Sequence, residues 1–429
     1  MYNNDRISYT YGITLDGYRE EKVTMKVISI FLSICFCLLS ACTNDNNKEE
    51  LLTNVPQVSV DEDTHDLRFS FVKPEENIVL QRQVSSLTES FEYWVNSQKI
   101  VGGELLLMQN NTVFSHKAMG WDDKDTDKAL DLNKIFYIGR LSYLYIEIAM
   151  MVLTENGNID VCQPVANYLP IFDNEKSKSI TVEHLIRHSS GITHSYYQKS
   201  RKEYESHYQA IEEIATEGPD AVPGTTKHGS HINYDILVAL IETISGMSLH
   251  DFLTEKIVQP LALENTFFDL SQNLDLKNDI VSRYGEKING SFIKDWDNSL
   301  PEQESTKWVT KSAYSSIVDY AILLSLWNYN VNTQGEKIIS DKMFNTLKEV
   351  LLKSVDENNV EKCLFEELQK SDKFVIQSKP RYLGGSGSAV IAMPKYNLLG
   401  LYFTQSQWNS SQHIFWSKMT DTETVLNWY

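Results

Sequence analysis

Phe136-Tyr137-Ile138-Gly139-Arg140-Leu141-Ser142-Tyr143 opens the segment that decides the fold of this chain. From Leu141 to Leu153 almost every residue is apolar, and only Ser142 and Glu147 interrupt the run. A helix that is apolar on all its faces belongs in the interior of a large domain. Gly157 follows the run and supplies the left-handed residue with which many helices end. The sequence therefore predicts a buried central helix that begins at Gly139-Arg140, with unpaired N–H groups and a positive dipole end.

The length and composition of the chain set limits on its architecture and partners. Its 429 residues are 42% hydrophobic, which is enough for one large domain or for two subdomains around a shared cleft. The formal net charge is -19 at pH 7. Because such a chain cannot neutralise a run of phosphates, this charge argues against nucleic acid as a partner.

The N-terminal region predicts export and a lipid anchor. Residues 27–41 form an apolar run of 15 residues, which is too short to span a bilayer comfortably and long enough for the core of a signal peptide. Met25 and Lys26 precede the run, so the true start is expected at Met25. The run ends Leu39-Ser40-Ala41-Cys42, similar to the bacterial lipobox. We therefore expect a signal peptide over residues 1–41 and lipid on Cys42; the alternative is an ordinary signal peptide followed by a chance cysteine.

A polar, acidic tether over residues 42–77 is expected to hold the folded part away from the membrane. This organisation predicts a lipoprotein of the bacterial cell envelope, on the periplasmic or the surface face of the outer membrane. Beyond the signal peptide and Cys42, two cysteines remain, Cys162 and Cys363. Two distant cysteines define no disulfide framework, so a bridge between them and two separate thiols both stay open.

After the tether the pattern predicts a helix over 78–97, a strand over 102–108, a turn at Asn110-Asn111 and a returning strand over 112–116. The next loop carries aspartates at positions 123, 125 and 127, with the alternation of a calcium loop. A calcium loop also needs glycine at its sixth position and glutamate at its twelfth, where this chain has Lys128 and Lys134. We therefore interpret the segment as a solvated hairpin loop and expect no metal there.

Several short passages follow the central helix in a fixed order and at a fixed spacing. They are Asn158-Ile159-Asp160, residues 164–170, residues 180–192 with His188-Ser189-Ser190-Gly191, Pro223-Gly224-Thr225, residues 257–266, residues 315–320, and residues 384–404. Together they resemble the serine β-lactamase and penicillin-binding-protein-like family, in the branch related to class C β-lactamases and D-alanyl-D-alanine carboxypeptidases. The resemblance covers about residues 78–410.

The resemblance implies an α+β fold of the β-lactamase/transpeptidase type, in which helices flank an antiparallel sheet built from the two ends of the chain. It implies a domain over residues 78–429. The sheet subdomain is expected at about 78–135 and 305–429, with a helical subdomain at about 136–304 inserted between them. Strand-like patterns near 102–117 and 383–404 support the same arrangement.

Members of this family cut amides with a serine at the start of the central helix and a lysine three residues later. Counting back without a gap from Ala149, Leu153 and Gly157 places these two positions at Arg140 and Tyr143. The family's second motif, Tyr-x-Asn, lies on a loop before a helix that we expect to begin at Asp235. Counting from Pro223-Gly224 and from Glu242 without a gap places this motif on Gly229-Ser230-His231. Its third motif, Lys/His-x-Gly, falls on Tyr382-Leu383-Gly384. Of all these reagents only Gly384 is retained.

The loss of three independently positioned motifs predicts an inactive homologue, a pseudoenzyme without cofactor or metal. Its cleft would bind a small carboxylate or a peptidoglycan-peptide-like ligand through Arg140, Tyr143, His231 and Tyr382. Two alternatives stay open: a structural or interaction protein with a plugged cleft, and a hydrolase that uses Ser142 or Ser230 as an unorthodox nucleophile. The histidines at positions 184, 188, 228 and 231 lack the spacing of a zinc site, and we expect them to serve structure.

Overall fold

The computed structural model describes residues 56–59, 69–71, 78–193, 206–226, 231–286, 292–297, 313–329, 337, 339–352, 381–383, 387–393 and 398–406. Residues 52–429 group into one compact unit. The predicted signal peptide and lipidation site, Cys42, lie outside the described residues, and so do Cys363, Gly229, Ser230 and Gly384. The proposed division into a sheet subdomain and a helical subdomain stays a prediction.

A sheet forms one layer of the fold, and strands from both halves of the chain build it. It is antiparallel along its main path, and only the short strand β2 pairs in parallel among the described strands. Its path runs β1-β4-β3-β12-β11-β10, and the short strands β2 and β5 pair with β4 as well. Two small sheets, β6-β9 and β7-β8, lie outside this path. The strands are β1 (Gln57–Ser59), β2 (Ser70–Phe71), β3 (Gly102–Gln109), β4 (Thr112–Asp123), β5 (Lys128–Ala129), β6 (Ile135–Tyr137), β7 (Arg283–Glu286), β8 (Phe292–Trp296), β9 (Tyr314–Ser316), β10 (Arg381–Leu383), β11 (Ala389–Met393) and β12 (Leu398–Thr404).

Helices pack against the sheet, and most of them lie in the part of the sequence between its N-terminal and its C-terminal strands. In the described residues they are α1 (Ile78–Asn96), α2 (Tyr143–Glu155), α3 (Val182–Ile186), α4 (His207–Glu217), α5 (His231–Ser245), α6 (Leu249–Leu253), α7 (Ile317–Tyr329) and α8 (Asp341–Leu352). None of them alone is long and apolar enough to cross a bilayer. Only α5 together with Leu249–Val258 reaches that length and composition, and this pair is bent by 79°. The α+β architecture predicted from the sequence is confirmed.

The central helix α2 is buried along its whole length apart from its last residue, as its apolar composition predicts. Gly157 lies beyond its end with a φ of 70°, the left-handed conformation expected there. The start of the helix differs from the prediction, because residues 139–142 form a 3₁₀ turn before α2 begins at Tyr143. Gly139 follows β6 after one residue and has a left-handed φ of 51°. The 3₁₀ turn that begins at Gly139 is wound more tightly than an α-helix.

Other predicted elements agree with the structure to within a few residues. The hairpin turn at Asn110-Asn111 has positive φ at both residues, which matches the twist of the flanking strands. Ser316 accepts the N–H of Asp319 at 3.2 Å and caps the first turn of α7. One helix boundary was wrong: α5 was expected from Asp235 and begins four residues earlier, at His231. This earlier start brings His231 onto a regular helix.

The aspartate-rich loop contacts an ammonium group. Asp123 caps a short 3₁₀ turn by accepting the N–H of Asp125 at 3.0 Å. The Lys294 Nζ lies 2.7 Å from one carboxylate oxygen of Asp123 and 3.2 Å from one of Asp125. The alternating carboxylates of this loop therefore face a lysine of the β7-β8 hairpin.

Candidate functional site

The candidate site lies where the 3₁₀ turn at residues 139–142 meets the first residue of α5. The turn precedes the buried helix α2, which packs against α5 in the core. Strand β10, at one edge of the large sheet, lies beside the same turn. Three segments that are distant in sequence thus come together at this 3₁₀ turn, and they are the segments on which the three family motifs were placed.

His231 is the centre of the contacts at this site. Its Nε2 contacts the Nη2 of Arg140, and its Nδ1 contacts the hydroxyl of Tyr143. Arg140 is exposed, His231 is half-buried, and Tyr143 is buried with 7% of its surface accessible. Three of the four side chains predicted to line the cleft therefore come together. The fourth, Tyr382, lies on β10 beside the turn, and its side chain is outside the described residues.

Tyr143 is held in place from below. Its ring stacks on the ring of Tyr234 with centroids 3.6 Å apart and planes 5° from parallel. The Tyr234 hydroxyl donates to Glu147 Oε1 at 2.5 Å, and Glu147 is 5% exposed. A buried carboxylate needs such a donor, because an unpaired one would cost several kcal/mol or take up a proton. The Tyr143 ring of α2 therefore stacks on a ring of α5, and a hydrogen bond from that second ring back to α2 fixes its position.

A second polar layer lies behind Tyr234. The ring of His188 packs on Tyr234 with centroids 5.2 Å apart, and its Nδ1 is 3.3 Å from Asn233 Nδ2. Asn233 also accepts a hydrogen bond from Ser190 Oγ at 2.6 Å. His188 has a φ of 57°, an uncommon conformation that these packed neighbours maintain.

His184 and His188, spaced i and i+4, have different partners. His184 caps its own helix with Thr181, and burial, followed by the charge of Arg187, lowers the pKa of its imidazole to about 4. No group of three or more metal-binding side chains converges within the described residues.

The structure also locates the alternative nucleophile Ser142. Its side chain has no accessible surface, and its Oγ makes no hydrogen bond to any described residue. A serine nucleophile needs a base within hydrogen-bond reach and access to substrate, and Ser142 has neither here. Ser230 lies outside the described residues.

The arrangement offers binding groups and lacks the family's reagents. Arg140, His231 and Tyr143 supply a cation, an imidazole and a phenol, and none of them is a serine or an amine. Arg140 makes no ion pair within the described part of the chain, so the charge of its guanidinium meets only a histidine. Such an exposed guanidinium is suited to a carboxylate.

Sequence reasoning did not identify Tyr234 and Glu147 as part of the site. Glu147 gave a signal, because a single carboxylate inside an apolar helix must find a partner. Its partner, Tyr234, lies 87 residues away on another helix, and no pattern in the sequence links them. Cys162 is disulfide-bonded, which removes the reading of this cysteine as a separate thiol; the other four cysteines of the chain lie outside the described residues.

Comparisons with known proteins agree with this architecture. A teichoic acid D-alanine hydrolase of Staphylococcus aureus is 30% identical over 173 residues, which cover 39% of this chain and 41% of that protein. The match thus spans about two fifths of the length of this curated relative.

Two solved structures are similar over most of this chain. FmtA from Staphylococcus aureus has a TM-score of 0.61 and 21% identity, covering 84% of this chain and 93% of that one. EstCE1, a hydrolase with promiscuous acyltransferase activity, has a TM-score of 0.64 and 17% identity, covering 80% and 98%. The model of the family described as Beta-lactamase matches residues 80–413, well over half of the chain. The chain therefore belongs to the beta-lactamase family, as its motifs indicated.

Proposed function

We propose that this chain is a non-catalytic, lipid-anchored protein of the bacterial cell envelope whose cleft binds a carboxylate ligand at Arg140. The observation that carries the proposal is the set of contacts at His231. Arg140 and Tyr143, at the two positions counted for the first motif, contact His231 at a position counted for the second, which supports one shared site. None of these three residues is a serine or a lysine.

The expected loss of catalysis is large. Removing the nucleophile of a comparable serine hydrolase costs roughly 10⁶ in rate, or about 8 kcal/mol of transition-state stabilisation. Backbone donors alone restore only a small part of this. Ser142 is buried and its Oγ has no partner among the described residues, so Ser142 does not take the place of the lost serine nucleophile.

The proposed ligand is a small carboxylate or a peptide of the peptidoglycan type, with its terminal carboxylate on Arg140 and its neighbouring groups on Tyr143 and His231. A guanidinium recognises a carboxylate through two parallel N–H···O bonds. The name of the curated relative, a teichoic acid D-alanine hydrolase, supports D-alanyl compounds of the envelope as the first ligands to test.

The experiment is a titration of a D-alanyl-D-alanine peptide and of a penicillin against the purified wild-type chain and Arg140→Ala. We expect the wild type to bind and the variant to lose at least tenfold in affinity. Lys256→Ala removes a charge on a side chain that is 40% exposed elsewhere on the protein, and it serves as the matched control. Equal binding by wild type and Arg140→Ala, or binding by neither, would remove the proposal.

The same incubations test for residual chemistry. A fluorescent penicillin or an acyl ester, followed by intact-mass measurement, exposes any covalent adduct on Ser230 or on another serine. We expect an unmodified mass. An adduct would instead establish a hydrolase with an unorthodox nucleophile.

A second candidate is a structural or interaction protein with a plugged cleft. The observation in its favour is that His231 already contacts both Arg140 and Tyr143, so the three side chains themselves would occupy the room that a ligand needs. An empty ligand screen together with co-purification of an envelope partner would favour this candidate.

The anchor is tested separately. Cys42→Ala should release the protein from the membrane fraction and abolish its labelling by a radioactive fatty acid, because the expected lipidation site is lost. Continued membrane association of an unlabelled Cys42→Ala chain would exclude lipid at this cysteine as the anchor.

A further inference from the structure

The contact between Arg140 and His231 determines where the imidazole carries its proton. A guanidinium has five N–H donors and no acceptor, so in this contact Arg140 Nη2 donates and His231 Nε2 accepts. Nε2 is therefore unprotonated, and the single proton of the neutral ring is on Nδ1. Nδ1 then donates to the hydroxyl oxygen of Tyr143. The hydrogen bonds run in one direction, from Arg140 through His231 to Tyr143.

The contact exists only while His231 is neutral. A second proton on Nε2 would turn the acceptor into a donor and place two cations against each other. A carboxylate offers the arrangement that removes this conflict, since it accepts from Arg140 and from a protonated Nε2 at the same time. Anion and proton are thus expected to favour each other at this site.

Several other polar and titratable side chains lie on the elements that surround His231. On its own helix they are Tyr234 and Asp235; α2 presents Tyr143 and Glu147, α3 is followed by His188, and the 3₁₀ turn presents Arg140. Glu147 accepts the hydroxyl of Tyr234, and Asp235 lies one helical turn further along α5 and is 4% exposed. Arg140 and Tyr143 make the hydrogen-bond contacts to the two ring nitrogens.

We infer that His231 occupies Arg140 in the free protein, and that a carboxylate binds by replacing this contact while His231 takes up a proton. The inference rests on the proposed function, since it takes Arg140 as the anion site. It adds a regulation to that site. Binding is coupled to pH through a histidine that stands where the family has asparagine.

The contact itself is tested without ligand. Histidine resonances of the isotope-labelled protein are followed by NMR against pH in the wild type, in Arg140→Met and in the control Lys256→Met. Because the cation and its hydrogen bond both favour the neutral ring, we expect the midpoint for His231 to rise by about one pH unit in Arg140→Met, a tenfold change in proton affinity. His188, which contacts Asn233 and Tyr234, is the internal reference. Equal His231 midpoints in all three proteins would overturn the inference.

The coupling is tested with ligand by calorimetry. The D-alanyl-D-alanine peptide is titrated at one pH into protein in two buffers that differ in ionisation enthalpy, which reports the protons taken up on binding. Above the His231 midpoint we expect uptake approaching one proton, and an affinity that falls up to tenfold per pH unit. His231→Asn, which restores the family's residue, should bind without this uptake.

The outcomes separate the two proposals. Binding by the wild type with no proton uptake leaves the proposed function intact and overturns the inference. No binding by the wild type removes the proposed ligand, while the ligand-free titration still decides whether Arg140 sets the protonation of His231. Thermal unfolding of His231→Asn identifies a variant that fails only because it does not fold.

Discussion

Lys294 and Arg140 are two cations of the same acidic chain, and their surroundings differ. Lys294 lies 2.7 Å from Asp123, 3.2 Å from Asp125 and 3.7 Å from Asp297, and its side chain is 17% exposed. Arg140 is exposed, and its contact is an imidazole. The chain therefore satisfies the charge of Lys294 with its own carboxylates, while Arg140 contacts an imidazole and makes no ion pair within the described residues.

The two cations allow a contribution to the stability of the fold to be distinguished from a contribution to ligand binding. A cation that several carboxylates surround ties distant segments together, as Lys294 joins the β7-β8 hairpin to the end of β4. A cation on the surface contributes little to stability, because water solvates it almost as well as a partner does. The free energy of unfolding should therefore fall more when Lys294 is removed than when Arg140 is removed.

The largest loss of stability is expected when Glu147, the buried carboxylate of α2, loses its hydrogen bond from Tyr234. Tyr234→Phe removes the donor to Glu147 and keeps the ring that stacks on Tyr143. Leaving a buried carboxylate without this hydrogen bond should lower the free energy of unfolding by about 2 kcal/mol. Chemical denaturation measures the loss. Tyr208→Phe, which removes a hydroxyl on a 43% exposed side chain, is the control. An unchanged midpoint would show that Glu147 does not depend on Tyr234.

Lys294→Met should come next. It leaves the carboxylates of Asp123 and Asp125 facing each other without their ammonium group. For partly buried groups we expect a loss of about 1 kcal/mol in the free energy of unfolding. Lys256→Met removes an exposed lysine and should cost less than half of that. If both variants unfold at the same denaturant concentration, the cluster does not stabilise the fold.

The same cluster predicts a dependence on pH. Burial alone would raise the pKa of Asp123, but hydrogen bonds from Lys294, Asp125 N–H and Tyr284 outweigh it and hold the pKa below its ordinary 3.8. A carboxyl with a lowered folded pKa stabilises fully above its unfolded pKa and loses this contribution as pH falls through the folded value. The stability difference between wild type and Lys294→Met should therefore be constant from about pH 5 to 9 and shrink below about pH 4. A difference that grows in acid would contradict this assignment.

Arg140→Met is expected to have the smallest effect on stability. The side chain is exposed and makes no ion pair within the described residues, so the free energy of unfolding should change by less than about 0.5 kcal/mol. Arg140→Met and Lys294→Met both replace a cation with methionine. Arg140→Met is expected to lose ligand binding with little change in stability, whereas Lys294→Met is expected to lose stability. A loss above about 1 kcal/mol would mean that Arg140 holds the fold together, which would favour the plugged-cleft candidate.

The core elements of the fold could be predicted because their patterns are local. The apolar run at residues 141–153 and Gly157 gave the central helix and its end, and Asn110-Asn111 gave the first hairpin turn. The start of that helix could not be predicted, because the 3₁₀ turn depends on how β6 pairs with β9, which lies almost 180 residues later. The early start of α5 at His231 was missed because Tyr-x-Asn of the family lies on a loop.

At the site, the residues could be predicted and their contacts could not. Counting from fixed positions in the buried helix placed Arg140 and Tyr143, and counting from the glycine and helix around α5 placed His231. Which nitrogen of His231 faces which partner depends on side-chain positions across 88 and 91 residues of sequence. The same holds for Lys294, which is 171 residues from Asp123 and contacts a loop that the sequence predicted to be solvated.

Strand β1 and strand β10 lie at opposite ends of the sheet path, so the described chain enters the sheet at the edge that is far from the candidate site. The described chain begins at Pro56 beside β1, and Arg140 lies beside β10. Five strand spacings separate the two edges, or about 24 Å at roughly 4.8 Å each. The N-terminal end of the described chain and the candidate site therefore occupy opposite edges of the same sheet.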